Sequence, residues 1–387
     1  MRGQASSGPG AGRSQGTGTQ STGSQSTGTQ STGSSGRPAG PDSRIRLSGA
    51  RGRWIVAATV LGSSLAMLDA TIVDDPPHRP VRTEDDMILV TGASGHVGGE
   101  LVGQLAAAGH PVRALVREPG RPAGGPLAQP GVQLSLGDLN EPDTLAGSLA
   151  GVTGLFLLGG FPDMPGVLAQ ARAAGVRHVV LLSSRSVMGG DPGNAVVAMH
   201  LAGEAALRES GLAWTVLRAS GFMSNTFEWL PQLRAGDVVR GPWADVPVAV
   251  IDPHDIAAVA ARVLTNTALT MPGLPGTGEE GHSIPLSGPE ALRPADRAGI
   301  LGPVLGRPLR FEGQTDAEAR AEMSRTVPAK YVDAFFRFFS DGEFDDSPVL
   351  GTVDDVTGRP ARTFKEWATA HAAEFSLSAA RAARNPR

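Results

Sequence analysis

The residue pattern in this chain most able to do chemistry is a run of glycines. Gly92, Gly95 and Gly98 follow the apolar stretch Met87–Thr91, and helix-forming residues follow them from Glu100 to Ala108. Gly92 permits a tight turn out of a strand, since glycine tolerates backbone angles that a Cβ disfavours. Gly95 lets the backbone approach a pyrophosphate, and Gly98 lets a helix pack closely on the strand. Ala93, Ser94, His96 and Val97 complete the loop. A helix N-terminus there would offer free N–H groups and a partial positive charge to phosphates. With a strand before it and a helix after it, the pattern reads as a dinucleotide site; a purely structural turn is the alternative.

Further candidates lie beyond this loop. Arg117 is the first residue past the next apolar run, Pro111–Val116. An acidic residue there would hold the ribose of NAD, whereas an arginine suits the 2′-phosphate of NADP, so NADP is favoured. Glu118 keeps NAD open, and a solvated arginine is the alternative. Asp138 and Leu139 follow Val132–Leu136, and Leu158 and Gly159 close another strand; Asp138 could touch adenine or cap a helix. Ser183 could hydrogen-bond a substrate carbonyl or line the cofactor pocket. His200 and Glu204 are four apart and share a helix face. They could form a proton donor with its orienting carboxylate, or a stabilising helix-surface pair. No metal site is expected, because two ligands with no third make a poor one. Phe222, Met223 and Asn225 follow a strand end, where Phe222 and Met223 could hold a planar acceptor or serve as core.

These residues need elements to position them. Strands are expected at 87–91, 111–116, 132–136, 154–158, 176–182 and 214–217, alternating with helical segments at 145–149, 165–174 and 195–210. That alternation predicts an α/β fold with a doubly wound parallel Rossmann sheet. Ligands in such sheets bind at the C-terminal strand ends, where the candidates fall. A small C-terminal α/β part should complete the substrate side. The phenylalanines at 335, 336, 338 and 339 form an amphipathic stripe that reads as core or lid.

Composition excludes several classes. There is no cysteine among 387 residues, which removes disulfide scaffolds, thiolate metal sites and cysteine nucleophiles. The net charge of −4 argues against direct nucleic-acid binding. Residues 1–50 are dominated by Gly, Ser, Thr and Gln, with a five-residue repeat from Gln20 to Ser34. A five-residue repeat without apolar residues cannot offset the entropy of ordering, so a disordered tail is expected. Residues 376–387 form a C-terminal tail, and 51–86 a hydrophobic segment and linker.

Within that linker, Trp54–Val73 is apolar and, at 1.5 Å per residue, about 30 Å long as a helix, enough to span a bilayer. Residues 51–73 resemble the start of the first transmembrane helix of major-facilitator drug:proton antiporters. No second apolar span follows, so transport is not implied. A cytoplasmic protein with a fused leader is expected, the functional domain starting at Met87 and running to 375. A single-span tether, with membrane contact only if 54–73 is retained, is the alternative.

Thr91–Gly99, Arg117, Gly137–Leu139, Ser183–Ser184, His200 to Glu204, Ser210–Arg218, Gly221–Asn225, Asp252–Ala257, Leu286–Glu290 and Thr363–Trp367 occur in one order. In that order they resemble NmrA-like proteins, atypical short-chain dehydrogenase/reductases, over about 87–375. The resemblance implies a Rossmann fold, and either NAD(P)H-dependent reduction of quinones and dyes or cofactor binding by a regulator. Orthodox members of the wider superfamily use a Tyr-x-x-x-Lys pair. Here the only tyrosine is Tyr331, the residue four later is Phe335, and the only lysines are Lys330 and Lys365. Quinone reduction asks less of the protein than carbonyl reduction, since the cofactor supplies the hydride. The expected activity is hydride transfer from NADPH to a small planar acceptor. The alternative is a non-catalytic NAD(P) sensor that binds a partner protein.

Overall fold

A computed structural model describes residues 86–118, 125–265 and 281–375. The expected tails, and nearly all of the 51–86 segment with its apolar stretch, lie outside the described residues.

Seven parallel strands form the main sheet. They are β1 Met87–Val90, β2 Val112–Val116, β3 Val132–Leu136, β4 Val152–Leu158, β5 His178–Ser184, β6 Ala213–Ala219 and β8 His282–Leu286, in the order β3-β2-β1-β4-β5-β6-β8. A sheet covered on both faces needs strands apolar on both faces. The sequences MILV, VTGLFLL and HVVLLSS meet that demand and are almost wholly buried. The outermost strand, VQLSL, is covered less, leaving Leu134 and Leu136 about half exposed.

Among the described residues, five helices accompany this sheet, α1 His96–Ala107, α2 Ala146–Leu149, α3 Met164–Ala173, α4 Ala195–Glu209 and α6 Pro253–Thr265, while α5 Leu230–Ala235 packs into the C-terminal part. Leu101, Val102 and Leu105 of α1 and Ile256, Val259 and Val263 of α6 cover one face. Val167, Leu168 and Leu207, from α3 and α4, cover the other. Helix α1 begins at His96, inside the glycine run and earlier than the Glu100 start expected from residue types. Gly98 and Gly99 depress intrinsic helix propensity, but the tight turn before them and the packing of α1 on the sheet override it.

The C-terminal part adds a two-stranded parallel sheet, β7 Val238–Gly241 with β9 Arg310–Gly313. It also adds α7 Pro294–Leu305, α8 Asp316–Met323, α9 Ala329–Phe339, α10 Thr352–Thr357 and α11 Phe364–Ala370. The phenylalanine stripe of α9 is core: Phe336 and Phe338 are buried against Val196 and Val197 of α4. Asn194 joins the two parts. Its side-chain oxygen caps α4 by accepting from the Val196 N–H, and its amide nitrogen donates to the Ala334 carbonyl. Among the described residues, no helix is long and apolar enough to cross a membrane.

Candidate active site

The chain order reverses at β1, which pairs with β2 on one side and β4 on the other. That reversal opens a crevice at the C-terminal ends of β1 and β4. Thr91 closes its floor: its hydroxyl accepts from the Leu158 N–H at 3.0 Å, fixing the end of β4 beside the glycine turn. Gly92 has φ +62°, and a Cβ there would meet Leu158 Cδ1 at 2.4 Å. A Cβ on Gly98 would meet the Gly92 carbonyl oxygen at 2.3 Å. Both positions therefore exclude any side chain, as the glycine pattern predicts. Gly95 is the N-cap of α1 and provides no side-chain acceptor, so the cap itself adds no oxygen to the first turn. Ala93 and Val97 are buried supports of the turn, Ser94 is half-buried, and His96 stacks on Phe227 with ring centroids 5.2 Å apart.

Such a cradle, empty of side chains and backed by a helix N-terminus, fits a dinucleotide. Arg117 is exposed past the end of β2. Asp138 shapes its own loop: its Oδ1 accepts from the N–H and the side-chain amide of Asn140, and its own N–H donates to Thr144 Oγ1. It therefore holds a turn, and no side-chain cap on the following helical turn is formed. Leu139 is buried beneath it, while Leu158 and Gly159 line the crevice rim, half-buried.

The His200–Glu204 pair is arranged differently from the expectation. Glu204 is completely buried, which removes the helix-surface reading. Its carboxylate receives Ser183 Oγ at 2.8 Å, Arg218 Nε at 3.0 Å and Nη2 at 2.6 Å, and Arg208 Nη2 at 2.6 Å. Burial would raise its pKa, but hydrogen bonds from Arg218 and Ser183, with the Arg218 charge, outweigh that and hold it below the usual carboxylate range. Glu204 thus ties the ends of β5 and β6 to α4 and forms no hydrogen bond to His200 among those described. The Ser183 hydroxyl is committed to the same knot. Burial pushes the His200 imidazole down to about 4, the Glu204 charge opposing only weakly. Its charged form is thereby disfavoured at neutral pH.

The segment after β6 is also resolved by burial. Met223 is fully buried among Trp229, Leu233 and Val239, a core position that corrects its assignment to the acceptor pocket. Phe222 and Asn225 are half-buried, and the Phe222 carbonyl accepts from the Asn225 N–H. Beside them lies a group that the sequence did not single out. Asp346 Oδ2 accepts from the Gly221 N–H at 2.9 Å, and Oδ1 lies 3.5 Å from Arg185 Nη1. Burial raises this carboxyl to about 6. Arg208, four residues after Glu204, carried a readable spacing signal; Arg218, Arg185 and Asp346 carried none.

A doubly wound parallel sheet with a side-chain-free turn at its switch point defines a Rossmann protein built for NAD(P). Comparison with known proteins agrees. A family model described as NAD(P)H-binding matches residues 92–267. The chain is 40% identical over 294 residues to a (4-alkanoyl-5-oxo-2,5-dihydrofuran-3-yl)methyl phosphate reductase of Streptomyces griseus, covering 75% of this chain and 99% of that protein. It is 37% identical over 301 residues to an NAD(P)H azoreductase of Xenophilus azovorans, covering 76% and 100%. An NADPH-dependent quinone oxidoreductase of Escherichia coli, solved with NADPH, superposes with a TM-score of 0.59 at 26% identity, covering 73% and 99%. The chain belongs to the NmrA-like NAD(P)H-dependent reductases.

Proposed function

We propose that this protein transfers hydride from NADPH to a small, conjugated, quinone-like acceptor. The observation that carries the reading is the glycine cradle at the switch point of the sheet. Gly92, Gly95 and Gly98 leave room for the pyrophosphate, and the N-terminus of α1 faces it. Arg117 would meet the 2′-phosphate. Its exposed guanidinium favours NADPH, with NADH the weaker substitute. When bound, the reduced nicotinamide supplies the hydride.

The chain's own residues hold the acceptor end. The Ser183–Glu204–Arg218 knot fixes the strand ends that carry the crevice, so acceptor and cofactor can meet in a fixed geometry. Burial disfavours the charged form of His200. Hydride addition to an isolated carbonyl concentrates negative charge on one oxygen and demands a strong donor. A quinone or azo group spreads that charge over its conjugated framework and tolerates a weaker one. The acceptor named for the E. coli neighbour, a quinone, and the azo function of the Xenophilus relative fit this requirement.

The test is to mix the full chain with NADPH and a panel of quinones and azo dyes. Loss of near-ultraviolet nicotinamide absorbance reports turnover, and nicotinamide fluorescence reports binding. Acceptor-dependent consumption is the expected result. Binding of NADPH with no consumption across the panel would replace the proposal with a cofactor-sensing regulator.

A further inference from the structure

A cavity of about 400 Å³ opens at the C-terminal edge of the main sheet, the edge at which such sheets bind ligands. Its lining joins two parts of the chain. Arg185 and Met188 come from the turn after β5 and Pro285 from β8, while Phe344, Pro348 and Leu350 come from the segment 343–350 of the C-terminal part. That segment is strapped across three strand ends. Past β6, Asp346 Oδ2 accepts from the Gly221 N–H. Past β5, the Pro348 carbonyl accepts from Arg185 Nη1 at 2.9 Å. Past β8, the Leu350 N–H donates to Ser287 Oγ at 2.8 Å. The cavity lies one strand away from the glycine crevice. Strand β5 pairs with β4 at Leu182 and Leu158, and a Cβ on Gly159 would meet the Leu182 carbonyl oxygen at 3.4 Å. Arg185 follows Leu182 by three residues, which at about 3.3 Å per residue keeps its Cα within about 10 Å of that contact.

The lining is that of a small-molecule seat: mostly apolar, with one buried polar group turned inward. The Arg185 side chain is 7% exposed. Among the described residues, Nη1 alone of its three nitrogens is hydrogen-bonded, although a buried guanidinium ordinarily satisfies its donors. Nε and Nη2 are not sealed off by protein, so they open onto the cavity that Arg185 lines. Met188 and Val349, two of the four large apolar side chains exposed among the described residues, stand at its rim. Charge selects against an anion there. Glu343, Asp345 and Asp346 outnumber Arg185 and Arg337, and Glu343 is already paired with Arg337 at 2.6 Å. A neutral ring bearing an acceptor oxygen suits both the apolar walls and the two open N–H groups.

We propose that this cavity seats the hydride acceptor as a neutral conjugated carbonyl compound, one carbonyl oxygen accepting from Arg185 Nε and Nη2. The identity of that ligand as the acceptor rests on the reductase reading above; its binding here does not. A second cavity, of about 510 Å³, sits by Gln104, His110 and Arg262, past the far end of α1 from the glycine cradle, and serves as a control.

The experiment measures binding by equilibrium dialysis, with the full chain carrying NADP. The probes are 2-methyl-1,4-naphthoquinone and the oxygen-free hydrocarbon 2-methylnaphthalene. Arg185→Met should weaken the quinone by about ten- to a hundredfold, the scale of a charge-assisted hydrogen bond, and leave the hydrocarbon within about twofold. Met188→Trp crowds the mouth from an exposed position without disturbing the core and should weaken both probes by about tenfold. Arg262→Ala, in the other cavity, should change neither. NADP affinity should stay within about twofold in all three variants, since none touches the glycine turn. Equal losses of quinone and hydrocarbon in Arg185→Met would reduce Arg185 to a prop for the strap and overturn its part. Unchanged quinone affinity in Met188→Trp, or no quinone binding by the unaltered protein, overturns the seat itself. Failure of the reductase reading looks different: NADPH is not consumed with any acceptor, while the dialysis still shows the quinone bound and lost in the two cavity variants.

Discussion

Two neighbouring glycines in α1 separate the requirement for a bare turn from the ordinary weakness of glycine in a helix. Replacing either Gly98 or Gly99 by alanine should add about 0.5–1 kcal/mol of helix propensity. Their surroundings differ. A Cβ at Gly99 meets the Ala93 carbonyl oxygen at 3.5 Å, an ordinary contact, whereas at Gly98 it meets the Gly92 oxygen at 2.3 Å and the Gly92 carbonyl carbon at 2.6 Å. Both clashing atoms are backbone in the turn, so the turn must open by about 1 Å in an interior packed as densely as a crystal. Overpacking of that kind costs about 1–3 kcal/mol. Since the propensity gain is common to both variants, their difference isolates the clash. Gly99→Ala should be neutral or slightly stabilised in urea. Gly98→Ala should fall below it by about 1–3 kcal/mol and bind NADPH at least about tenfold more weakly, because the displaced turn no longer matches the phosphates. Urea unfolding and nicotinamide fluorescence titration supply both readings. Equal behaviour of the two variants would refute the assignment of Gly98 to close helix–turn packing at a cofactor cradle.

Three other perturbations probe separate parts of the site. Arg117→Ala should weaken NADPH by about tenfold and NADH by less than about twofold, the gap between a lost phosphate contact and a lost exposed charge; equal losses in fluorescence titrations would return the cofactor choice to NAD. Glu204→Gln leaves Arg218 and Arg208 without their carboxylate. It should cost about 2–4 kcal/mol in urea unfolding, somewhat under the range for fully buried pairs because both arginines keep some access to water; a change below about 0.5 kcal/mol would show that the knot holds nothing. His178, its pKa pushed down to about 4 by burial and by His282, should destabilise the fold in acid. Below about pH 6.5 the unfolded chain binds the proton that the folded one refuses, so stability falls as pH drops toward 4, by about 2 kcal/mol at pH 5. Asp346, raised to about 6, acts with the opposite sign over the same interval. Comparing His178→Gln with the unaltered protein at pH 7 and pH 5 isolates the histidine, and an identical acid response would refute its part.

The glycine cradle was legible because its information is local. A strand, three glycines and a helix lie within about twenty residues, and the steric demand at Gly92 and Gly98 is met by atoms close in sequence or by the end of the adjacent strand. The parallel sheet was legible for a related reason: continuous apolar runs such as HVVLLSS have few other ways to be buried. The short strands β7, β8 and β9, VVRG, HSIPL and RFEG, offer no such long apolar run and were missed. Glu204 shows where the pattern stops informing. A four-residue spacing puts His200, Glu204 and Arg208 on one helix side, but it cannot say whether that side faces water or the ends of β5 and β6. Its partners Ser183 and Arg218 come from strands on either side in sequence, and only the fold joins them. Met223 failed similarly, since a buried methionine and a pocket methionine look alike until the neighbouring C-terminal core is placed.

The buried position of Glu204 makes α4 part of what holds the strand ends together. One position of α4 carries a buried carboxylate that clamps β5 and β6. That clamp requires Arg218 and the Ser183 hydroxyl, so neither is free for an acceptor. Burial lowers the pKa of the neighbouring His200 to about 4. Rigidity at the strand ends and proton donation from α4 therefore compete for the same helix face.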